Sequence, residues 1–495
     1  MEGVGKSVFY GTKIDNFNVE VVDVVIGKNI AQSYIVVKVT DEKLKKMGGI
    51  SAGMSGSPIF FDGKIAGALA YSWETKDNLI GVVTPIETML KLWENLPDMP
   101  TMKALPSSVI FTIGLGERAG KKLQEKENLF SRKIISLPKI LFSQRQSDQG
   151  IELQPGSAVG VQLIRGDVDV VSLGTLTWRE GNKIIAFGHP FLHQGKVNYF
   201  LSSMYVNFSL EGKDFPFKVG TPIEPVGIID EDRSAGIAGR LGVMPEVIKA
   251  SIEIGNEKSS LAKYEFDIIR NENVVVEFFP EIILDSIDQA LDSQRPGSAR
   301  VFLVIDGSQF HFLNEFFWVS KNDIASYISN NLTKILEDIF KNPFQPIDAE
   351  KIEIKVVYLP DVREATFKNL YLPVDVKRGS DLKGKIDLNL HRQGMKSLDF
   401  DILIPKDFVP GEADVIARGL SWGAESSQSP SPSPTDLDIY IDEKVKQLKS
   451  NGVVIEIRSK AESFPSSTQK NYFSQAISLP FVLEGSFTGS VVVLE

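Results

Sequence analysis

The 495-residue chain has no cysteine. That excludes disulfides, a thiol nucleophile and thiolate metal sites. It leaves the compartment open, because many exported proteins also lack cysteine. Histidine is scarce, with four in the whole sequence: His189, His193, His311 and His391. None sits in an HExxH pattern, so a zinc hydrolase of that type is excluded. No metal site or cofactor is expected. No apolar run reaches the ~18 residues that a membrane-spanning helix needs. The first residues, MEGVGKSVFYG, lack the apolar core of a signal peptide. A basic stripe is missing too. The net charge is −10, and phosphate binding needs clustered Lys and Arg, so no nucleic-acid partner is expected. The short run Lys43, Lys45, Lys46 reads as a solvated face.

What is present is an ordinary share of hydrophobic residues, 42%, enough to bury real cores. The length predicts roughly three or four domains at ~100–200 residues each. Residues 1–97 read as a small β-barrel unit. Val19, Val21, Val24 and Val25, then Ile35, Val36, Val37 and Val39, form β-branched runs parted by polar residues near Gly27. Asp62-Gly63 between apolar runs predicts a tight hairpin. Ile86, Met89, Leu90 and Trp93 recur at helical spacing. Residues 98–150 read as a connector with some local structure. Residues 151–255 return to Gly-rich strands and predict a second small barrel.

Residues 256–360 read as a mixed α/β region. Ile324, Ile328, Ile335 and Ile339 mark one face of a helix, with Ser320 or Asn322 as its cap. Residues 361–495 read as a β-sandwich-like domain. Within it, the Pro/Ser-rich stretch 426–434 predicts an extended loop. A helix over DEKVKQLKSNG is expected to end at Gly452. The fold class is therefore mainly β: two small chymotrypsin-like barrels, then a β-rich, sandwich-like C-terminal region with a few helices.

Two segments carry chemistry. GGISAGMSGSPIFFDGKIAG, residues 48–67, places Ser55 in a Gly-rich loop between strands. Such a loop can turn tightly and aim backbone N–H groups at a carbonyl. The Gly53 and Ser55 amides are the candidate oxyanion hole, and Ser57 competes as nucleophile. Read alone, GMSGS is more often a hairpin loop without chemistry. IIAFGHPF places His189 where a strand ends at a constrained backbone, which suits a general base. Read alone, this is more often a structural turn histidine. A third member would be a carboxylate orienting the imidazole; Asp41, Asp167, Asp169, Asp230 and Asp232 are candidates.

Both segments, with VGIIDEDRSAGIAGRLG at 226–242, resemble the SpoIVB-type serine peptidases. GGISAGMSGSPIFFDGKIAGAL is similar to that family's GGIxxGMSGSPIxxDGKxIGA. LGTLTWREGNKIIAFGHPF is similar to its GTLTxxxxxxxxxGALGH. The resemblance covers about residues 5–95 and 150–245. It implies Ser55 as nucleophile, His189 as base and Asp41 as acid. Asp41 stands fourteen residues before Ser55, one fewer than the family pattern, and Glu42 replaces the Pro that follows the acid. The serine half precedes the histidine half by 134 residues, from Ser55 to His189, so the halves look permuted. The PDZ module usual in the family is missing.

The implied function is a serine endopeptidase acting on protein or peptide substrates. The alternatives are a non-catalytic peptidase fold that binds peptides or builds a surface structure, and a scaffold whose β-rich half binds a protein or glycan. The C-terminal β-rich region is a possible site for a protein partner. The chain starts abruptly at a barrel strand, as if an upstream segment had been removed. Together with exported relatives, that predicts an extracytoplasmic protein.

Overall fold

The computed structural model describes residues 1–27, 33–72, 78–94, 109–126, 132–139, 152–210, 216–420, 436–448, 451–460 and 470–495. The Pro/Ser-rich stretch 426–434 lies outside them. The chain divides into two compact units. One comprises Met1–Ala250 with Glu265–Asp285, the other Ser251–Tyr264 with Ser286–Glu495. As expected, the protein is mainly β.

The first unit begins with a closed barrel. Its strands are β1 (Glu2–Val8), β2 (Ile14–Val25), β3 (Tyr34–Val39), β4 (Ser57–Phe61), β5 (Lys64–Ser72) and β6 (Ile80–Pro85), in spatial order β1-β2-β3-β6-β5-β4. Two antiparallel pairs, Val4 with Phe60 and Gly5 with Ile59, close the ring. The β-branched runs form strands as the sequence predicted, and Phe17 and Val19 of β2 join Val37 and Val39 of β3, Ile59, Leu69 and Val83 in one core, while Val24 and Val25 at the far end of β2 are exposed. Burying each such side chain contributes ~1.5–3 kcal/mol. Asp62 (φ 49°) and Gly63 (φ 76°) both turn left-handed between β4 and β5, the conformation a two-residue hairpin requires. The short helix α1 (Glu42–Lys46) follows β3, and α2 (Ile86–Leu90) follows β6.

After β7 (Val109–Ile113), α3 (Glu117–Glu125) and β8 (Lys133–Leu137) comes a second ring. It consists of β9 (Ala158–Gly166), β10 (Asp169–Glu180), β11 (Lys183–Ala186), β12 (Gly195–Leu210), β13 (Phe217–Arg233) and β14 (Gly236–Leu241). Strands pair in the order β9-β12-β13-β14-β11-β10, and β10 pairs back onto β9. The described parts of the connector belong to this sheet, because β7 pairs with both β10 and β8. The two rings share apolar packing. Val8 and Ala52 of the first join Leu173, Val206 and Val219 of the second in one cluster. Strands β15 (Val247–Gly255) and β16 (Ser260–Ile269) follow, and Phe266 of β16 pairs opposite Gly166 of β9. The Asp285 carboxylate of α4 (Glu272–Leu291) accepts the Gly116 N–H at the start of α3.

In the second unit, β17 (Gly297–Gly307) is flanked by β18 (His311–Ser320) and β19 (Ala349–Leu359). Helix α5 (Ile324–Phe340) buries Ile324, Ile328, Ile335 and Ile339 as its periodicity predicted. Its cap is Asp323, not Ser320 or Asn322. The Asp323 carboxylate accepts Ser326 N–H, and Ser320 Oγ in turn accepts Asp323 N–H. Two sheets then enclose one apolar core. The first holds β20 (Glu364–Tyr371), β22 (Asp381–Leu390), β23 (Gly394–Leu403) and β27 (Val482–Glu484). The second holds β21 (Asp375–Lys377), β24 (Gly411–Gly419), β25 (Gly452–Ser459), β26 (Tyr472–Ser478) and β28 (Ser486–Leu494). Helix α6 spans Leu437–Leu448, and Gly452 opens β25 rather than capping that helix. Among the described residues no helix is long and apolar enough to cross a membrane.

Candidate active site

The nucleophile loop runs from the end of α1 to β4, and its backbone is tied down on three sides. Ala52 N–H donates to Pro216 O, and Lys218 N–H donates to Ala52 O. Thr175 N–H of β10 donates to Ser55 O, and Gly56 N–H donates to Leu69 O of β5. The hydroxyls of Thr175 and Thr177 donate to the carbonyls of Gly53 and Gly56. Only glycine fits at position 56. Its φ is +94°, and a Cβ there would lie 1.9 Å from Thr175 O. Ser57 is occupied: its Oγ donates to Met54 O at 2.6 Å, and its N–H donates to the same oxygen. Ser55 Oγ is buried and has no hydrogen-bond partner among the described residues.

The same bonds orient two amides. In a planar trans peptide the C=O and the following N–H point opposite ways. Ala52 O is held by Lys218 and Met54 O by Ser57, so the Gly53 and Ser55 N–H groups point away from those anchors. Among the described residues neither amide donates a hydrogen bond.

His189 arrives from the other barrel. Strand β11 ends at Ala186, and the next two residues are left-handed, Phe187 at φ 71° and Gly188 at φ 73°. For a bulky residue such as Phe187 that conformation is strained. Its complete burial and its edge-on contact with Phe191 hold it there. Gly188 O accepts the Thr84 hydroxyl of β6 at 2.7 Å. A Cβ on Gly188 would stand 3.0 Å from the Ala68 Cβ. The Tyr71 ring lies 5.7 Å from the imidazole. Strand β5 is thus the common floor of the two segments: Leu69 holds the serine loop, while Ala68 and Tyr71 abut the histidine turn.

The imidazole is 0% exposed and Ser55 is 2% exposed, so the site is closed. His189 Nδ1 bonds Pro190 O at 2.8 Å. The carbonyl can only accept, so Nδ1 carries the proton and Nε2 presents its lone pair. Nε2 is buried and has no partner among the described residues. Ser55 Oγ and His189 Nε2 therefore do not hydrogen-bond to each other in this closed state. Burial, opposed by the Pro190 bond, lowers the His189 pKa to about 4. The ring is neutral at ordinary pH.

The candidate acids are elsewhere. Asp41, expected to orient the imidazole, instead caps α1 and accepts the N–H groups of Lys43 and Leu44. Asp167 accepts Glu265 N–H, Asp169 pairs with Gln162, and Asp230 pairs with Arg240. Asp232 is nearest in effect. It is fully buried and accepts the N–H groups of Phe191 and Leu192, each at 2.7 Å. Burial raises its pKa, and those amides with the ones of His193 and Gln194 pull it back. Arg132 works from the other side, donating to the carbonyls of Pro190 and Phe191. The oxygen that holds the imidazole proton is thus fixed by an Arg132–loop–Asp232 clamp. Among the described residues no three His, Asp or Glu side chains converge as metal ligands.

Sequence reasoning missed Arg132 and Lys218. Arg132 lies in the connector, where an isolated charge reads as solvated. Lys218 has a signal, a lone charge inside the apolar run FPFKVG. It is 2% exposed, donates from Nζ to Ser7 Oγ at 2.7 Å, and burial lowers its pKa to about 7.

Residues 5–90 match the family model for SpoIVB peptidase S55, a family of serine peptidases. The matched segment spans the first barrel and contains Ser55. No curated protein and no solved structure matches the chain.

Proposed function

We propose, from the SpoIVB-type assignment carried by residues 5–90, that the chain is a serine endopeptidase with its catalytic halves in permuted order. One observation carries this reading. Buried polar atoms are nearly always hydrogen-bonded, yet among the described residues Ser55 Oγ and His189 Nε2 are both buried without partners. These are the two atoms that acyl transfer needs free, and they sit on the two residues that the motifs single out.

In the proposed mechanism, Ser55 Oγ attacks a peptide carbonyl while His189 Nε2 takes its proton. The Gly53 and Ser55 amides receive the oxyanion. The imidazolium then protonates the leaving amine, and water repeats the sequence on the acyl-serine. The Pro190 carbonyl does what an acid does in a triad: it holds Nδ1–H and fixes the tautomer. Being neutral, it stabilises the imidazolium less than a carboxylate, and the Arg132–Asp232 clamp offsets this through rigidity. The closed site makes this a resting state, and a substrate strand must uncover Ser55 before attack.

The substrate is a protein or peptide, and the β-rich second unit offers surface for choosing it. Work outside the cytoplasm belongs to the same proposal. A peptide library incubated with the protein tests the reading. New termini should form with the wild type and not with Ser55→Ala. Identical digests from both would reject it.

A further inference from the structure

We propose that Lys218 is a positioning residue for the nucleophile loop, clamping the peptide units on both sides of Gly53 so that the Gly53 amide faces the site. The inference rests on the peptidase reading and adds to it a residue that no motif contains.

Lys218 lies on β13, beneath the loop. Its backbone N–H holds Ala52 O at 2.9 Å, which fixes the peptide unit whose N–H belongs to Gly53. Its side chain reaches the next unit by a relay. Thr175 Oγ1 donates to Gly53 O at 3.0 Å. A hydroxyl has one proton, so toward Ser7 Oγ, 3.4 Å away, Thr175 can only accept. Ser7 therefore donates to Thr175 and accepts from Lys218 Nζ. Every proton runs one way, from the amine to the Gly53 carbonyl. Both carbonyls flanking the Gly53 Cα thus depend on one residue.

No carboxylate pairs with Lys218 among the described residues. Its Nζ stands 4.7 Å from the centre of the Phe9 ring, which also receives Lys43 Nζ at 5.1 Å. Burying an amine without a counter-ion opposes folding, and a Met of the same length would fill the space without that cost. Ser7 and Lys218 are not a second Ser–Lys catalytic pair. Ser7 lies within the β1–β2 ladder opposite Asp15, and its hydroxyl proton is committed to Thr175.

The test is Lys218→Met in the full chain, with a fluorophosphonate probe read as separate binding and inactivation constants. The substitution keeps the backbone bond to Ala52 O and frees only the Gly53 carbonyl, so the turn through Gly53 loosens and inactivation should slow ~10-fold with probe binding unchanged. The melting temperature should hold or rise, because the buried amine is gone. Hydrogen exchange over residues 51–57 should quicken. Inactivation at the wild-type rate would overturn the proposal, as would a parallel loss of probe binding and melting temperature. If Lys218→Met fails to fold, Ser7→Ala cuts the relay and keeps the lysine side chain. It should slow inactivation several-fold, and no change would overturn the proposal. A wild type that never labels ends the peptidase reading instead. In that case exchange decides: unchanged exchange over 51–57 rejects the positioning role, and faster exchange retains it.

Discussion

The serine loop and the histidine turn face each other across β5, and each is immobilised by a different kind of chemistry. The serine loop is held by backbone bonds that only small residues permit, anchored on a buried lysine with no counter-ion among the described residues. The histidine turn is held by opposite charges: Asp232 gathers its amides and Arg132 its carbonyls. Loop geometry built on glycines is written into the sequence, because few other residues could replace them. A clamp built from two distant charges is not, because each charge alone resembles a solvated one.

The largest effect should come from Ser55→Ala. Loss of the nucleophile is expected to cut hydrolysis by several orders of magnitude, with a melting temperature close to wild type because Ser55 Oγ makes no bond. Ser57→Ala should do the reverse. It keeps activity and loses ~1 kcal/mol of stability, the worth of its bond to Met54 O, measurable by urea titration. Equal activity losses in the two would erase the distinction between nucleophile and scaffold.

Gly56→Ala attacks the backbone side of the comparison. The new methyl must displace the Thr175 carbonyl in a left-handed conformation, so a loss of ~3 kcal/mol or more is expected in the same titration. A near-neutral result would mean that the loop is looser than described.

Acid attacks the buried bases. The folded His189 pKa is about 4, below its ordinary value of 6.5, so the unfolded chain binds the proton first. Its contribution to stability is complete above about pH 6.5 and is lost as pH falls toward 4, by up to ~3 kcal/mol. Lys218 follows the same sign between 10.5 and about 7. Stability should therefore rise from pH 7 toward 10 through this group. His189→Gln should flatten the acid segment of a pH–stability curve, and Lys218→Met the alkaline one. A curve that keeps its acid slope in His189→Gln would assign the slope to other groups.

The smallest effects separate the acids. Asp232→Asn removes the charge and one of the two acceptor oxygens, setting an NH2 group against a loop N–H. Turnover should fall ~10-fold from misplacement of the imidazole, with little change in substrate affinity. Asp41→Ala removes a helix cap, costs ~1 kcal/mol of stability, and should leave turnover intact. The opposite ranking of turnover losses would return the acid role to Asp41.

These contrasts explain what the sequence made legible. Runs of β-branched residues and the Asp62-Gly63 turn disclosed the first barrel, because each has a local physical cause. Ser55 and His189 were singled out by long segments that resemble the SpoIVB-type family, since each local backbone read alone favours a turn without chemistry. The acid was not. Asp41 precedes a short helix, and a carboxylate there is drawn to the free N–H groups of the first turn. Lys218 was hidden because β13 is buried on both faces around it, so its position gave no alternation to violate. The cap of α5 was misread by one to three residues, since Ser320 supports Asp323 rather than the helix.

The central claim is that Ser55 and His189 form one acyl-transfer site, and covalent capture tests it most directly. Full-length protein is treated with a fluorophosphonate probe, digested, and the adduct mapped by mass spectrometry. The account predicts a single adduct on Ser55, absent in His189→Ala and retained in Asp41→Ala. An adduct on Ser57, or a folded wild type that stays unlabelled in the presence of a cleavable substrate, would contradict it.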